Sequence, residues 1–133
     1  MIESRTGTRV RYAETDAMGV AYHGSYIPWL EMARVQLLDD LGLPYRTMEE
    51  RGFHLPVVDL RCEYRQPCRF DDRLEVIARI AERPRARVTL AYEIHCGDRF
   101  LARAWTVHAV TDDSGRPVRP PEFFLTALEA AGL

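Results

Sequence analysis

Lysine and asparagine are both absent from the 133 residues, and the 18 basic residues are all arginine. The first absence excludes a Schiff-base lysine and a P-loop lysine; the second excludes an N-glycosylation acceptor. A coding sequence rich in G and C accounts for such a bias. Cysteine is scarce too: residues 62, 68 and 96 lack CxxC spacing, and the four histidines are scattered at 23, 54, 95 and 108. No metal site is expected from that set. No apolar run approaches the roughly 18 residues of a membrane span. The N-terminal stretch MIESRTGTRVRY has no apolar core of a signal peptide, so a cytoplasmic protein with reduced thiols is expected. A net charge of −2, with acids and bases interspersed, argues against a nucleic-acid partner.

What remains is a chain of one-domain size, 47% apolar and 29% charged. It has no internal repeat and no linker long enough to separate a second domain, so residues 1–133 are read as a single domain. Alternation over residues 5–13 suggests a first strand. A helix is expected from about Ser25 to Leu41, with Ser25 as its cap, Pro28 tolerated in the first turn, and Gly42 and Pro44 ending it. Its apolar residues cover half the circumference from Tyr26 to Leu41, and Met32 and Val35 fall opposite. Such a helix is expected to be enclosed on more than one side. Four further strands follow by period-two alternation, over 58–65, 74–80, 88–96 and 101–110. The last is near-continuously apolar, as an inner strand is. A short helix opens at Pro120-Pro121 and runs to about Ala130. The fold class is therefore α+β: an antiparallel sheet of about five strands curled around one long helix.

The segment Tyr12-Ala-Glu-Thr-Asp-Ala-Met-Gly-Val-Ala-Tyr-His-Gly-Ser-Tyr26 carries the candidate chemistry. Asp16 lies just beyond a strand, Gly19 gives its turn conformational freedom, and His23 precedes the helix. Amides at a helix start are unpaired and partly positive, and so can hold a developing oxyanion. A carboxylate beside them can act on a reactive ester or thioester as general base or as nucleophile. Each residue also has a plainer reading. Asp16 suits a turn, and Tyr22, Tyr26 and Trp29 suit core packing. Glu31 and Arg34 suit a buried i,i+3 pair.

That segment, with Trp29-Leu-Glu-x-Ala-Arg34, Tyr64-Arg-Gln-Pro67, Asp72-x-Leu-x-Val76 and Pro120-Pro-Glu122, resembles the 4-hydroxybenzoyl-CoA thioesterase family. The likeness covers nearly the whole chain and is greatest to the acyl-CoA thioesterases encoded beside Tol–Pal envelope genes. The resemblance implies a hotdog fold and a homo-oligomer, a dimer or a dimer of dimers, with active sites between subunits. It also implies hydrolysis of a short-chain or aromatic acyl-CoA to free CoA and a carboxylic acid, without a cofactor. On the same basis Asp16 falls on the family's catalytic aspartate, and His23 on the residue whose amide meets the thioester carbonyl. The asparagine usual two residues after that histidine is Ser25 here. Gly19, Val20, Tyr22, Tyr26, Phe53 and Leu55 are candidates for substrate contact, the last two from the neighbouring subunit. Arg83, Arg85 and Arg87 are candidates for the CoA phosphates, because guanidinium forks suit phosphate oxygens. Two other readings stay open: a non-catalytic protein that binds acyl-CoA or acyl carriers, and a hydratase of the same fold.

Overall fold

A computed structural model describes all residues, 1–133. Strand β1 (Ile2–Arg9) leads through short 3-10 turns at Tyr12–Glu14 and His23–Ser25 into helix α1 (Tyr26–Asp40). After α2 (Tyr45–Glu50) come β2 (Val57–Tyr64), β3 (Arg73–Ile80), β4 (Val88–Cys96) and β5 (Arg99–His108), and then α3 (Glu122–Ala130). The five strands form one antiparallel sheet in the order β1-β3-β4-β5-β2. This is the expected α+β architecture, with β5 inside the sheet as its apolar run requires.

Helix α1 lies against β1 and β3 and places Trp29, Leu30, Ala33, Leu37 and Leu38 in the core. These positions recur at three- and four-residue intervals, so they share one face. Opposite them the inner face of the sheet contributes Val76, Ala78, Leu90, Tyr92, Ile94 and Ala104. Gly42, at φ +74°, follows the last turn of α1, and the Leu43 amide returns to the Leu38 carbonyl. That is the left-handed stop that glycine accepts without strain.

Several expectations need correcting. The first strand spans residues 2–9 rather than 5–13, because Tyr12–Glu14 turns as a 3-10 helix while the Glu14 side chain accepts the Arg11 amide. Helix α2 was not anticipated; it is a six-residue element with one buried side chain, Met48. Ser25 does not cap α1 through its side chain: its Oγ donates instead to the Glu14 carbonyl at 2.8 Å. Nor is α1 enclosed on more than one side within the chain. Ile27, Met32 and Val35 stand exposed, because the sheet covers only the face opposite them. Tyr22, expected in the core, is also exposed, its ring resting on His23 at 4.2 Å between centroids. The Glu31–Arg34 pair is present as expected, with Arg34 buried and its guanidinium 4.6 Å from the Tyr45 ring.

The register fixes two ends of the sheet. Arg9, Tyr64, Arg73 and the β4–β5 turn gather at one end. Val57, Ile80, Val88 and His108 gather at the other. An eight-residue strand such as β2 or β3 separates them by roughly 25 Å at the usual rise per residue.

Candidate active site

Residues 15–21 form a small closed loop at the first end of the sheet. Thr15 and Ala21 pair across its base, the Ala21 amide donates to the Cys68 carbonyl, and the Tyr22 amide donates to the Glu14 carbonyl. Inside the loop the Asp16 amide donates to the Val20 carbonyl, and the Gly19 amide donates to the Asp16 carbonyl, both at 2.9 Å. Gly19 sits at φ +77°, a conformation that costs a residue with a Cβ roughly 1–2 kcal/mol. Asp16 is exposed. Its Oδ1 accepts the Met18 amide at 2.9 Å, which is the turn role aspartate often takes, while Oδ2 has no partner in the chain.

The loop delivers the chain to the His23–Ser25 turn that heads α1. The amides of His23 and Gly24 donate to no acceptor in the chain, as the opening amides of a helix do. Tyr64, at the end of β2, donates from its hydroxyl to the His23 carbonyl at 2.8 Å. Its ring meets Tyr26 edge-on at 4.8 Å. Tyr26 in turn faces the Cys68 thiol across 3.6 Å. Burial raises the Tyr26 phenol far above its ordinary value and pushes Tyr64 up to about 12, so both stay protonated at neutral pH. The same desolvation raises the Cys62 and Cys68 thiols, which makes neither a nucleophile.

One open cleft of about 340 Å³ joins these elements, lined by Asp16, Val20, His23, Tyr26, Tyr64 and Arg65 among others. The expected residues Asp16, Val20, His23 and Tyr26 therefore come together. Gly19 shapes the loop without lining the cleft, and Tyr22 packs outside it. Tyr64 and Arg65 belong to the cleft although sequence reasoning assigned them no role; the Tyr64-Arg-Gln-Pro67 block was the signal.

The other expected residues lie at the far end of the sheet. Phe53 stacks edge-on with Phe123 at 5.6 Å. Leu55 is buried, its amide donating to the Tyr45 hydroxyl and its carbonyl accepting from His108 Nδ1, each at 3.0 Å. Arg83, Arg85 and Arg87 line a separate cavity of about 610 Å³ with Arg79, Thr89 and Trp105. Within one chain, neither group reaches Asp16.

A single antiparallel sheet folded over one long helix, with these loops at its end, is a hotdog fold. The chain belongs to the Thioesterase-like superfamily, whose sequence profile matches residues 10–128, and it is by class a thioester hydrolase. It is similar to the Haemophilus influenzae acyl-CoA thioesterase YbgC, at 31% identity over 116 residues, covering 86% of this chain and 84% of that one. Two solved structures superpose closely. The Thermus thermophilus protein TT1821 is 40% identical with a TM-score of 0.92, over 96% of this chain and 98% of that one. A DHNA-CoA thioesterase from Staphylococcus aureus is 33% identical with a TM-score of 0.90, over 98% of this chain and 89% of that one.

Proposed function

We propose that the protein hydrolyses a short-chain or aromatic acyl-CoA, as a relative of the thioesterases encoded beside Tol–Pal genes. The observation that carries this reading is the shared cleft: Asp16, with its free Oδ2, and His23, with its unpaired amide, border one space, and the unpaired Gly24 amide follows in the same turn. The amides polarise the thioester carbonyl and take the negative charge that builds on its oxygen. Asp16 acts in one of two ways. As general base it removes a proton from water while the water oxygen bonds to the carbonyl carbon; collapse of the intermediate expels the CoA thiolate, which takes up a proton. As nucleophile it displaces the thiolate itself and forms a mixed anhydride that water then cleaves. Hydrolysis in ¹⁸O water under single turnover separates the two, since only the anhydride route can leave ¹⁸O in the aspartate.

The two ends of the sheet bear on the assembly. Phe53, Leu55, Arg83, Arg85 and Arg87 serve the Asp16 cleft if a second copy runs antiparallel to the first. Its far end then lies beside the first copy's cleft. We read the protein as a cytoplasmic homo-oligomer of single-domain chains, its substrate held between subunits with the acyl group against the apolar residues and the phosphates on the arginines. The exposed Ile27, Met32 and Val35 on α1 fit the same reading, since a monomer leaves them in water. Thiol release across a panel of acyl-CoAs tests the proposal and ranks the acyl groups. Saturable binding without thiol release from any of them would favour the non-catalytic alternative.

A further inference from the structure

Glu14 is the only carboxylate residue buried in the chain, at 7% exposure, and the proposed chemistry leaves it without a task. Both of its side-chain oxygens are occupied by N–H donors. Oε1 accepts the Arg11 amide at 2.7 Å, and Oε2 accepts the Trp29 indole Nε1 at 2.9 Å. Its backbone carbonyl accepts two more, from the Tyr22 amide and the Ser25 hydroxyl, each at 2.8 Å. One residue thus ties together the exit from β1, the closing end of the Asp16 loop, and both the turn and the body of α1. Asp16 lies two residues beyond it, and His23 lies between the two residues that its carbonyl holds.

We propose that Glu14 is a positioning residue, which sets the Asp16 carboxylate against the amides of the His23–Ser25 turn. The loop and the helix start share no other side-chain carboxylate anchor, so their spacing follows the Glu14 hub. The consequence for turnover rests on the thioesterase reading above; the consequence for local order does not. The chemistry of the hub makes it specific for a carboxylate. Glutamine fills the same volume but offers one acceptor oxygen and an NH₂ group. One of the two N–H donors would then face another donor, in a buried site where a lost acceptor is costly. Trp29→Phe removes the indole donor, and so removes that conflict, while its smaller ring leaves a cavity in the core that the double variant shares.

Hydrogen exchange on the folded protein is the first test. In Glu14→Gln the hydrogen-bonded amides within residues 15–26 should exchange about tenfold faster or more, while those of β3, β4 and β5 keep their wild-type rates. In Glu14→Gln/Trp29→Phe the segment should resemble Trp29→Phe alone, so the two effects should not add. Turnover is the second test. Glu14→Gln should lower kcat about tenfold or more with KM within about threefold, and Glu14→Asp, which keeps both acceptors, should recover some of the loss. Unchanged exchange in residues 15–26, or strictly additive effects of the two substitutions, would overturn the proposal. If Glu14→Gln does not fold, Trp29→Phe decides alone, because it frees Oε2: unaltered exchange in that segment has the same meaning. Absence of thiol release by the wild-type protein would count against the thioesterase reading and leave the exchange result to decide Glu14.

Discussion

The Tyr64 hydroxyl donates to the His23 carbonyl at 2.8 Å, which fastens the end of β2 to the turn that heads α1. The contact crosses 41 positions of sequence and reaches the very peptide group that carries the unpaired Gly24 amide. Tyr64→Phe keeps the ring against Tyr26 and removes only this bond. Kinetics on an acyl-CoA should show kcat reduced several-fold with KM little changed. Thermal unfolding should show a loss of about 1 kcal/mol, the usual worth of one hydrogen bond. A variant with wild-type kcat would show that the turn holds its place without the tyrosine.

Gly19→Ala isolates backbone conformation from steric crowding. A Cβ there would meet nothing closer than 3.8 Å, so the positive φ alone sets the cost. Denaturant titration should find roughly 1–2 kcal/mol of destabilisation. Loss of kcat beyond what the folded fraction explains should accompany it, since the strained residue sits within the loop that carries Asp16.

The buried chain from Tyr92 to Leu55 predicts a pH dependence. A carbonyl can only accept, so His108 Nδ1 carries the proton it donates to Leu55 at 3.0 Å. Neutral Nε2 then accepts from the Thr106 hydroxyl at 2.8 Å, and Thr106 accepts from Tyr92 at 2.7 Å. Burial, aided by the Arg34 charge, lowers the His108 pKa below its ordinary 6.5. The unfolded chain therefore binds a proton near pH 6.5 that the folded chain refuses. This contribution to stability is full above about 6.5 and declines as pH falls towards the folded value. Melting temperatures between pH 8 and pH 5 should fall less steeply for His108→Gln than for the wild type. Parallel curves would show that His108 is already charged in the fold.

Alanine at Arg83, Arg85 and Arg87 together separates phosphate binding from chemistry. KM for an acyl-CoA should rise about tenfold or more, the scale of a lost charge-assisted contact. Hydrolysis of a small thioester that lacks the nucleotide should not change. Equal loss on both substrates would remove these arginines from the CoA site and leave them as an ordinary charged surface.

Most of the fold could be read from the sequence because its strands have one buried face and α1 has a contiguous apolar one. Period-two and helical patterns record those faces directly. Asp16 and His23 were legible from the same short segment, since the loop that joins them is local. Two features were hidden for physical reasons. Glu14 resembles a surface acid until Trp29, fifteen residues on, is folded back to supply its indole N–H. The split of the expected site between two ends of the sheet depends on strand direction and register, and no local pattern encodes these. Ser25 marks a third difference. Where relatives are expected to carry asparagine, its hydroxyl turns back to the Glu14 carbonyl and strengthens the hub instead of facing the cleft.

The central claim is that Asp16 performs the chemistry. Asp16→Asn keeps the side-chain oxygen that accepts the Met18 amide and removes the carboxylate. Thiol release from the best acyl-CoA of the panel, measured beside equilibrium binding of that acyl-CoA, is the direct test. The account predicts binding close to wild type with kcat lowered by about two to four orders of magnitude; turnover at the wild-type rate would contradict it.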